Sequence, residues 1–484
     1  MSEADIRAER IRKLQILKDA GMEPYPVSSE QTSTIQFFIE HFGRHMDDSA
    51  HLILVGRVVA RRGQGGILFV DISDGTARAQ TVLQRDDMDA PLFELFSETV
   101  DTGDFIQVAG SAYVTKRGEK SLKVSSWKML SKSLLAIPDA WFGIKDDELR
   151  LRERYLDVLL NPELRAMFER RTRFWQVIRN FYIERGFLEV ETPVLESTPG
   201  GADARPFATH HNALDIDVNL RISLELWLKR LLVAGFPKVF EIGRIFRNEG
   251  QSREHLQDYT QWESYEAFSD MRQGMRFVQE LYRRIASEVY GRSDFSINGH
   301  DVNFASEWPE INFCVIVKER FGVDPLSCTE DEAIEAVERA EIKVGETLNK
   351  ARAIDHLWKA IRKTIAGPAF LTGVPVYMEP LAKRTASDEK IVERFQIIFA
   401  GSEMGKGFSE LNDPSDQRER FEEQQKLRDA GDPEAQRLDE DYVRAMEYGM
   451  PPAFGFGMSE RLFSFLENRP AHEAQFFPLL RPKQ

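Results

Sequence analysis

The stretch that decides the fold is Arg244–Phe268, RIFRNEGQSREHLQDYTQWESYEAF. Apolar residues lead into Arg247, a polar loop follows, and a mixed run around Trp262 returns, which predicts a strand, a loop and a second strand. Arginine suits phosphate oxygens because its guanidinium makes paired hydrogen bonds, and Tyr259 offers a flat face to a purine base. The segment therefore predicts a nucleoside triphosphate site. A surface ion pair between Arg247 and Glu249 beside a core tyrosine is an equally consistent interpretation.

Length and composition exclude several classes of protein. A chain of 484 residues with 42% hydrophobic and 30% charged residues is typical of a globular protein of two or three domains. No apolar run approaches the length of a membrane span and the N-terminus has no apolar h-region, so neither a span nor a secretory signal is predicted. The isolated Cys314 and Cys328 indicate neither a disulfide nor a zinc site, and we expect a cytoplasmic protein. A net charge of −15 argues against nonspecific polyanion binding but allows a local basic patch for a nucleic acid.

The chain divides into four predicted segments. Residues 1–45 are a helical extension, with one helix expected over about residues 6–20. Residues 46–135 hold five short alternating strands and the helical stretch APLFELFSETV, which together predict a small closed β-barrel of the OB type. Residues 136–160 are interpreted as a linker, and residues 161–484 as a mixed α/β domain.

The C-terminal segment begins with PELRAMFERRTRFWQVIRNFYIERGF, whose apolar spacing predicts a long helix that ends near Gly186. Strands are expected at LEVETPVL, VNLRISL, KVFEIGRIF, TQWESYEAF, VPVYME, FQIIFAG and AFGFGM. These strands are far apart and some connections return like hairpins, so we expect an α+β fold with a mostly antiparallel sheet flanked by helices. Residues 414–447 are predicted to form two charged helices separated by AGDP, and residues 326–363 are helical in pattern.

Two glycine-containing segments carry further candidate ligand contacts. AFGFGMSERLF places Arg461 after glycines that would let the backbone approach a ligand, although loops and bulges use glycine equally. EMGKGFSELND, Glu403–Asp413, packs carboxylates, a lysine and an asparagine around two glycines. A solvated turn is the alternative interpretation of that segment.

Together these segments resemble the class II aminoacyl-tRNA synthetases. The helix from Pro162 with GFLEVETPVL is similar to motif 1 of that class, FRNEGQSREHLQDY to motif 2, and GFGMSERLF to motif 3. Three longer stretches closely resemble class II lysyl-tRNA synthetases: STPGGADARPFATHHNALD, RISLELWLKRLLVAGFPKVFEIGRIFRNEG and GFSELNDPSDQRERFEEQ. The resemblance covers nearly the whole chain. It implies an OB-fold anticodon-binding domain followed by a class II catalytic domain.

The resemblance implies an enzyme that uses ATP and Mg²⁺ to activate L-lysine as lysyl-adenylate and then transfers it to the 3′ end of tRNA(Lys). Such chemistry needs no protein nucleophile and works by positioning and charge. By motif, Arg247 would hold the α-phosphate and the lysine carboxylate, Tyr259 would stack on adenine, and Arg461 would clamp the γ-phosphate. The implied ATP-binding residues are Arg247, Glu249, His255, Tyr259, Glu403 and Arg461, with Arg247 and Arg461 catalytic and Glu403 on the metal.

The resemblance also implies a lysine pocket. Glu410 matches the acceptor of the ε-ammonium with Tyr265 as its companion, and Glu225 matches the acceptor of the α-ammonium. Buried carboxylates without a cation are costly, which favours a cationic amino acid over a neutral one. The full implied set is Gly201, Glu225, Arg247, Glu263, Tyr265, Lys406 and Glu410.

The barrel would read the anticodon of tRNA. Phe69 matches a position that stacks on anticodon bases, and Arg61 and Gln80 match positions that hydrogen-bond to them. A packed strand phenylalanine and a turn arginine are the alternative. Motif 1 in this class forms a two-fold interface, so the resemblance also implies a homodimer.

Several residues depart from the family pattern. Gln396 stands where a magnesium-binding glutamate is common, so it is a weak metal candidate, and Lys406 stands where an asparagine usually contacts the substrate carboxylate. Motif 3 is one residue shorter than usual, with Ser459 near a frequent glycine, and Arg253 precedes Glu254 where arginine often stands directly before the histidine. One hypothesis is that the site holds fewer metal ions and that Lys406 partly replaces one. Unchanged chemistry is the alternative.

Two other functions remain open at this point. A paralogue of the family could lysylate a protein, although such relatives generally lack the N-terminal barrel. A second possibility is a binding or regulatory descendant that has lost turnover, which the departures at Gln396 and Lys406 keep open. The retained motif residues argue against it, since a binding-only protein does not need a complete ATP site.

Overall fold

The N-terminal unit, Met1–Leu160, is built around a closed five-stranded barrel. The computed structural model describes residues 2–138, 144–250, 252–345, 348–430 and 435–482. The barrel order is β1-β2-β3-β5-β4, with bounds β1 His51–Gln64, β2 Ile67–Ser73, β3 Arg78–Gln84, β4 Phe105–Val114 and β5 Lys120–Ser131. Leu68, Val70 and Ile72 alternate along β2 and are buried inside, as a barrel strand requires. The predicted OB-type barrel is confirmed.

The helices of the N-terminal unit lie before, between and after the barrel strands in the sequence. Their bounds are α1 Glu3–Asp19, α2 Ile35–Glu40, α3 Phe42–Asp47, α4 Ala90–Thr99, α5 Asp147–Arg152 and α6 Arg154–Leu160. Helix α1 starts before the expected residue 6 because Ser2 and Asp5 form a capping box. Helix α4 follows β3 as predicted, and Phe96 packs edge-on against Trp127 with ring centroids 5.0 Å apart. The expected linker contains α5 and α6, while its residues 139–143 lie outside the described ranges.

The C-terminal unit, Asn161–Gln484, contains an eight-stranded sheet. Its order is β14-β15-β16-β17-β18-β11-β10-β6, and all neighbours are antiparallel except the two outermost pairs. The strands of this unit are β6 Leu188–Glu189, β7 Leu195–Glu196, β8 Ala208–His211, β9 Ile216–Leu220, β10 Lys238–Phe246, β11 Asp258–Ala267, β12 Asp294–Ile297, β13 His300–Asn303, β14 Glu310–Asn312, β15 Ala369–Thr372, β16 Arg394–Phe399, β17 Ser402–Ser409 and β18 Ala453–Ser459. The mostly antiparallel sheet is confirmed.

Helices pack on this sheet. Their bounds are α7 Pro162–Glu184, α8 Glu225–Val233, α9 Met271–Tyr290, α10 Phe313–Phe321, α11 Glu330–Arg339, α12 Lys350–Arg362, α13 Pro414–Asp429, α14 Glu440–Glu447 and α15 Arg461–Leu466. Trp262 and Ser264 of β11 contact α7, where the Trp262 ring lies 6.1 Å from that of Phe174 and Ser264 Oγ donates to Tyr182 Oη at 3.1 Å. Since strand side chains alternate, the odd-numbered residues of β11 face the other side.

Three predicted strands differ in the structure. LEVETPVL forms only the two-residue strands β6 and β7, because Pro193 between them has no N–H to donate. VPVYME forms a single 3-10 turn, Val376–Met378, between Pro375 and Pro380. VNLRISL is strand only to Leu220, after which the chain turns towards α8. The two charged helices are confirmed as α13 and α14, although most of AGDP lies outside the described ranges.

No helix in the described ranges combines the length and the apolar character needed to cross a bilayer.

Candidate active site

A cavity of about 370 Å³ lies on the face of the sheet that carries the odd-numbered residues of β11. Besides β11, it is walled by the polar loop after β10, by β17 and β18, and by the segments around residues 201–203 and 378–381. The sequence-predicted residues that line it are Gly201, Glu225, Arg247, His255, Tyr259, Glu263, Tyr265, Gln396, Lys406 and Arg461. Residues more than 200 positions apart in sequence therefore meet in one site.

Strand register explains part of this convergence. Gln396 of β16 lies opposite Lys406 of β17, which lies opposite Gly457 of β18, which lies opposite Glu263 of β11. These residues form one row across the sheet, and Gly457 presents no side chain between the lysine and the glutamate.

Glu263 is the centre of a hydrogen-bond network at one end of the cavity. Its Oε1 accepts from Ser223 Oγ at 2.8 Å, from the Leu224 amide at 3.1 Å and from Gln261 Nε2 at 2.5 Å. Its Oε2 accepts from Tyr265 Oη at 2.8 Å. Glu263 is therefore held in place by neighbouring donors, and it orients the Tyr265 hydroxyl in turn.

A buried cluster of charged side chains, formed by Glu225, Glu410 and Lys229, lies next to this network. Lys229 was not predicted from the sequence. Lys229 of α8 is fully buried, its Nζ is 2.6 Å from Glu225 Oε1, and it also forms an ion pair with Glu410. Glu410 is 1% exposed and does not line the cavity wall directly. A lysine one helical turn after Glu225 within an otherwise apolar helix face was the available signal.

Two glycines give this end of the cavity its shape. A Cβ on Gly455 would lie 2.0 Å from Glu410 Oε1 and 2.5 Å from Tyr265 Cε1, so no other residue fits without displacing them. Gly201 has a φ of +82° and would bring a Cβ within 3.1 Å of Glu225 Cβ. The backbone at Gly201 can therefore approach a ligand that a side chain would hold away.

Two arginines also line the cavity. Arg247 donates from Nε to the Ile222 carbonyl at 3.2 Å, and its guanidinium lies 5.9 Å from the centre of the Tyr259 ring. Arg461 donates from Nη2 to Glu254 at 2.5 Å and to Ser402 Oγ at 3.0 Å. Glu254, a residue that was not predicted to belong to the site, thus accepts a hydrogen bond from Arg461.

His255 and Glu249 lie on the loop that joins β10 to β11. His255 Nδ1 is 2.7 Å from Ser252 Oγ. Desolvation and the nearby Arg461 guanidinium hold the pKa of His255 below its usual range, so the imidazole is neutral at pH 7. Glu249 is exposed and does not line the cavity, so the ATP contact predicted for it stays a prediction.

Glu403 lines a neighbouring cavity of about 320 Å³, which shares Gln396, Lys406 and Glu379 with the first. Its Oε1 accepts from Trp358 Nε1 at 2.7 Å. Burial acts to raise the pKa of Glu403, but Arg362 and the Trp358 hydrogen bond outweigh it and hold the pKa below the usual range. Glu403 is therefore an ionised carboxylate beside the predicted phosphate end.

The wall between the two cavities holds an ion-pair network. Lys406 Nζ lies 3.2 Å from Glu379 Oε2, Arg394 Nε lies 3.0 Å from Glu379 Oε1, and Arg394 also donates to the Gln396 side-chain oxygen. Glu379 was not identified from the sequence. Within the described ranges, no group of three His, Cys, Asp or Glu side chains is arranged to hold a metal ion by itself.

The residues predicted to bind the anticodon lie on strands β1, β2 and β3 of the barrel in the N-terminal unit. Phe69 is half-buried, and Gln80 donates to Ser121 Oγ at 2.9 Å. Arg62, rather than Arg61, shares their face: it pairs with Phe69 in register and donates to Gln80 Oε1 at 3.3 Å and to Asp71 at 3.2 Å. Arg61 instead donates to the Ser97 and Val100 carbonyls, at 2.7 and 2.6 Å, at the end of α4.

Comparisons with known proteins cover both units. Residues 146–481 match the family described as tRNA synthetases class II (D, K and N), and residues 52–130 match the family described as OB-fold nucleic acid binding domain. The chain is 41% identical to a lysine–tRNA ligase of Roseiflexus castenholzii, over 99% of both proteins. It is 41% identical to that of Pelotomaculum thermopropionicum, over 98% of this chain and 94% of the relative. It is 38% identical to that of Thermotoga maritima, over 99% and 97%.

Proposed function

The chain belongs to the class II lysine–tRNA ligase family, and we propose that it activates L-lysine with ATP and transfers the lysyl group to the 3′ end of tRNA(Lys). One observation carries this proposal. A single cavity is lined by the buried carboxylates of Glu225 and Glu263 with Tyr265, and also by Arg461 and by Arg247 beside the Tyr259 ring. Such a cavity suits an amino acid with a cationic side chain next to a nucleotide with anionic phosphates.

Lysine would bind with its side chain towards the carboxylates. Glu225 and the Gly201 backbone would receive the α-ammonium, while Tyr265 and the carboxylate of Glu410 would receive the ε-ammonium. Arg247 would then hold the lysine carboxylate at the middle of the cavity, where the guanidinium already lies beside Tyr259. This placement aligns the carboxylate with the phosphate end of the site.

In the first step, a lysine carboxylate oxygen attacks the α-phosphorus of ATP, and the bond to pyrophosphate breaks. Arg247 would contact the α-phosphate, Tyr259 would stack on adenine, and Arg461 would exchange its contact with Glu254 for the γ-phosphate. In the second step, a ribose hydroxyl of tRNA attacks the lysyl carbonyl carbon, and AMP leaves. The chain supplies positive charge and alignment rather than a nucleophile.

Mg²⁺ fits the site through Glu403. One carboxylate together with ATP phosphates is a common way to hold this ion, and Glu403 is ionised beside the phosphate end. When bound, Mg²⁺ would neutralise charge on the phosphate oxygens. The side-chain oxygen of Gln396 accepts from Arg394 and is therefore engaged within the protein. We propose that the site holds fewer metal ions than is usual in the family and that the Lys406 ammonium partly replaces one of them.

We propose that residues 46–135 bind the anticodon and residues 161–484 form the catalytic domain. Phe69 would stack on a base while Gln80 and Arg62 hydrogen-bond to base edges, and Arg61 would support α4 behind them. A homodimer located in the cytosol completes the proposal. The barrel also favours tRNA over a protein as the lysyl acceptor, because an acceptor protein would have no use for an anticodon-reading surface.

Charging assays with the purified full-length chain test this function. We expect radiolabelled lysine to appear on the tRNA fraction in an ATP-dependent manner and not on added protein acceptors. Label on a protein acceptor instead of tRNA would support the alternative of a protein-lysylating paralogue. Tight ATP and lysine binding with no label on either would support a regulatory descendant.

A further inference from the structure

Lys229 is a buried cation at the base of the proposed lysine pocket. Its side chain is fully buried, lies 2.6 Å from Glu225, is paired with Glu410, and has its Nζ 5.3 Å from the centre of the Phe408 ring. Helix α8 fixes the first pair, because Glu225 and Lys229 are four residues apart on one face. Lys229 therefore belongs to the carboxylate cluster and not to the protein surface.

The charges around Lys229 do not balance among the protein's own groups. The charged and titratable groups that face this cluster are Glu225, Glu263, Glu410, Tyr265, Tyr442 and Lys406. Lys406 is paired with Glu379 instead. Three buried carboxylates are thus accompanied by one buried ammonium group. The two ammonium groups of L-lysine would supply the missing positive charges, with the lysine carboxylate left for Arg247.

We propose that Lys229 is a positioning residue that sets the charge of the lysine pocket, neutralising one of three buried carboxylates so that two remain for the two ammonium groups of L-lysine. This inference rests on the proposed function. It explains why a protein that binds a cation keeps its own cation buried at the same place. Without Lys229, three carboxylates would share two ammonium groups, and one carboxylate would be left buried and unpaired.

The charge of Lys229 also affects how lysine affinity depends on pH. Burial raises the pKa of Glu225 and of Glu410, and the Lys229 ammonium opposes that rise. Below the raised pKa the carboxylate cluster holds a proton before lysine binds, and the ammonium groups of lysine displace that proton. Lysine affinity therefore falls as the pH falls through the raised pKa. Removing Lys229 would raise that pKa further and move the loss of affinity to higher pH.

Isothermal titration calorimetry of the full-length protein with L-lysine tests this directly. Measurements in buffers of different ionisation enthalpy give the protons released per lysine bound, from about pH 6 to about pH 8. Lys229→Gln keeps a hydrogen-bond donor and removes the charge, whereas Lys229→Arg keeps the charge. For Lys229→Gln we expect affinity about tenfold lower at neutral pH, more protons released per lysine, and partial recovery at higher pH. For Lys229→Arg we expect the wild-type proton count.

The outcomes separate the inference from the proposed function. If the wild-type protein binds no lysine, the proposed function is wrong. If it binds lysine but Lys229→Gln shows the wild-type proton count, or an affinity loss that is equal at every pH, the positioning role of Lys229 is overturned. Thermal melts identify a variant that does not fold. Should Lys229→Gln fail to fold, an altered proton count in folded Lys229→Arg overturns the inference, and an unaltered count supports it.

Discussion

At the residue scale, the motifs identified side chains that chemistry requires and missed those that only the folded structure brings near them. Arg247, Tyr259 and Tyr265 were identified because their order along the chain is characteristic. Glu254 and Glu379 were missed because their partners, Arg461 and Lys406, are distant in sequence. Lys229 was missed although its spacing of four residues from Glu225 was a local signal, because its second partner, Glu410, is far away in the chain. Arg62, rather than Arg61, shares the face of the barrel with Phe69 and Gln80 for a different reason: a β-bulge in β1 changes the alternation of side chains that the sequence pattern predicts.

The contact between Glu254 and Arg461 gives a prediction for ATP binding. Glu254 accepts from Arg461 Nη2 at 2.5 Å, so the carboxylate competes with phosphate oxygens for this arginine. Glu254→Gln weakens that competing contact and is expected to lower the KM for ATP about two- to fivefold. Steady-state exchange kinetics at saturating lysine measure this, with Glu473→Gln, which removes the charge from an ion pair with Arg469, as the control. A KM for ATP that rises in Glu254→Gln would show that the carboxylate assists ATP binding.

Glu196 gives a prediction for the pH dependence of stability. Burial raises the pKa of Glu196 to about 7, although Trp227 Nε1 donates to its Oε1 at 2.6 Å. The folded protein therefore holds a proton that the unfolded chain releases, so stability falls as the pH rises from about 4.5 to about 7 and is then level. Glu196→Gln mimics the protonated form and keeps the acceptor oxygen. It should stabilise the protein by up to about 3 kcal/mol above pH 7 and by little below about pH 5.

Thermal melts of both proteins across this pH range test the prediction for Glu196. The expected result is a higher Tm for Glu196→Gln at pH 8 and similar Tm values at acidic pH. An equal difference in Tm at every pH would mean that the substitution changes packing and that Glu196 does not titrate in this range.

At the scale of elements, alternation along β11 and the register of its neighbours build the site. The strand pattern could be predicted because apolar Trp262 alternates with polar residues. The short strands β6 and β7 and the 3-10 turn at Val376–Met378 could not, because prolines in those segments remove the donors that a longer ladder needs. Register also could not be read from the sequence, and it is register that sets Lys406, Gly457 and Glu263 in one row.

Gly455 of β18 gives a prediction at this scale. An added Cβ would lie 2.0 Å from Glu410 Oε1 and 2.5 Å from Tyr265, so Gly455→Ala must push both groups of the lysine pocket aside. Overpacking of this kind costs about 1–3 kcal/mol, and we expect the KM for lysine to rise at least about tenfold while the KM for ATP changes little. Gly345→Ala, where nothing lies within 4 Å, is the control. A normal KM for lysine in folded Gly455→Ala would contradict the assignment of the pocket.

At the scale of the whole molecule, the division of the chain into two units predicts that the two reaction steps can be separated. Phe69→Ala on the barrel should lower the charging efficiency of tRNA(Lys), by about tenfold if one base–aromatic stack is lost. Lysine-dependent pyrophosphate exchange, which needs no tRNA, should be unchanged. Val114→Ala, an exposed apolar residue on β4, is the control. Equal losses in both assays would indicate that Phe69 supports the barrel fold rather than tRNA binding.

The central claim for the whole molecule is that the cavity in the C-terminal unit activates lysine. The measurement that tests it most directly is ATP–pyrophosphate exchange by the purified full-length protein with Mg²⁺, with each amino acid supplied alone. The account predicts exchange that depends on L-lysine and is absent with amino acids whose side chains are uncharged, because they lack the second ammonium group that the buried carboxylates require. Exchange that depends on another amino acid, or no exchange with any of them, would contradict it.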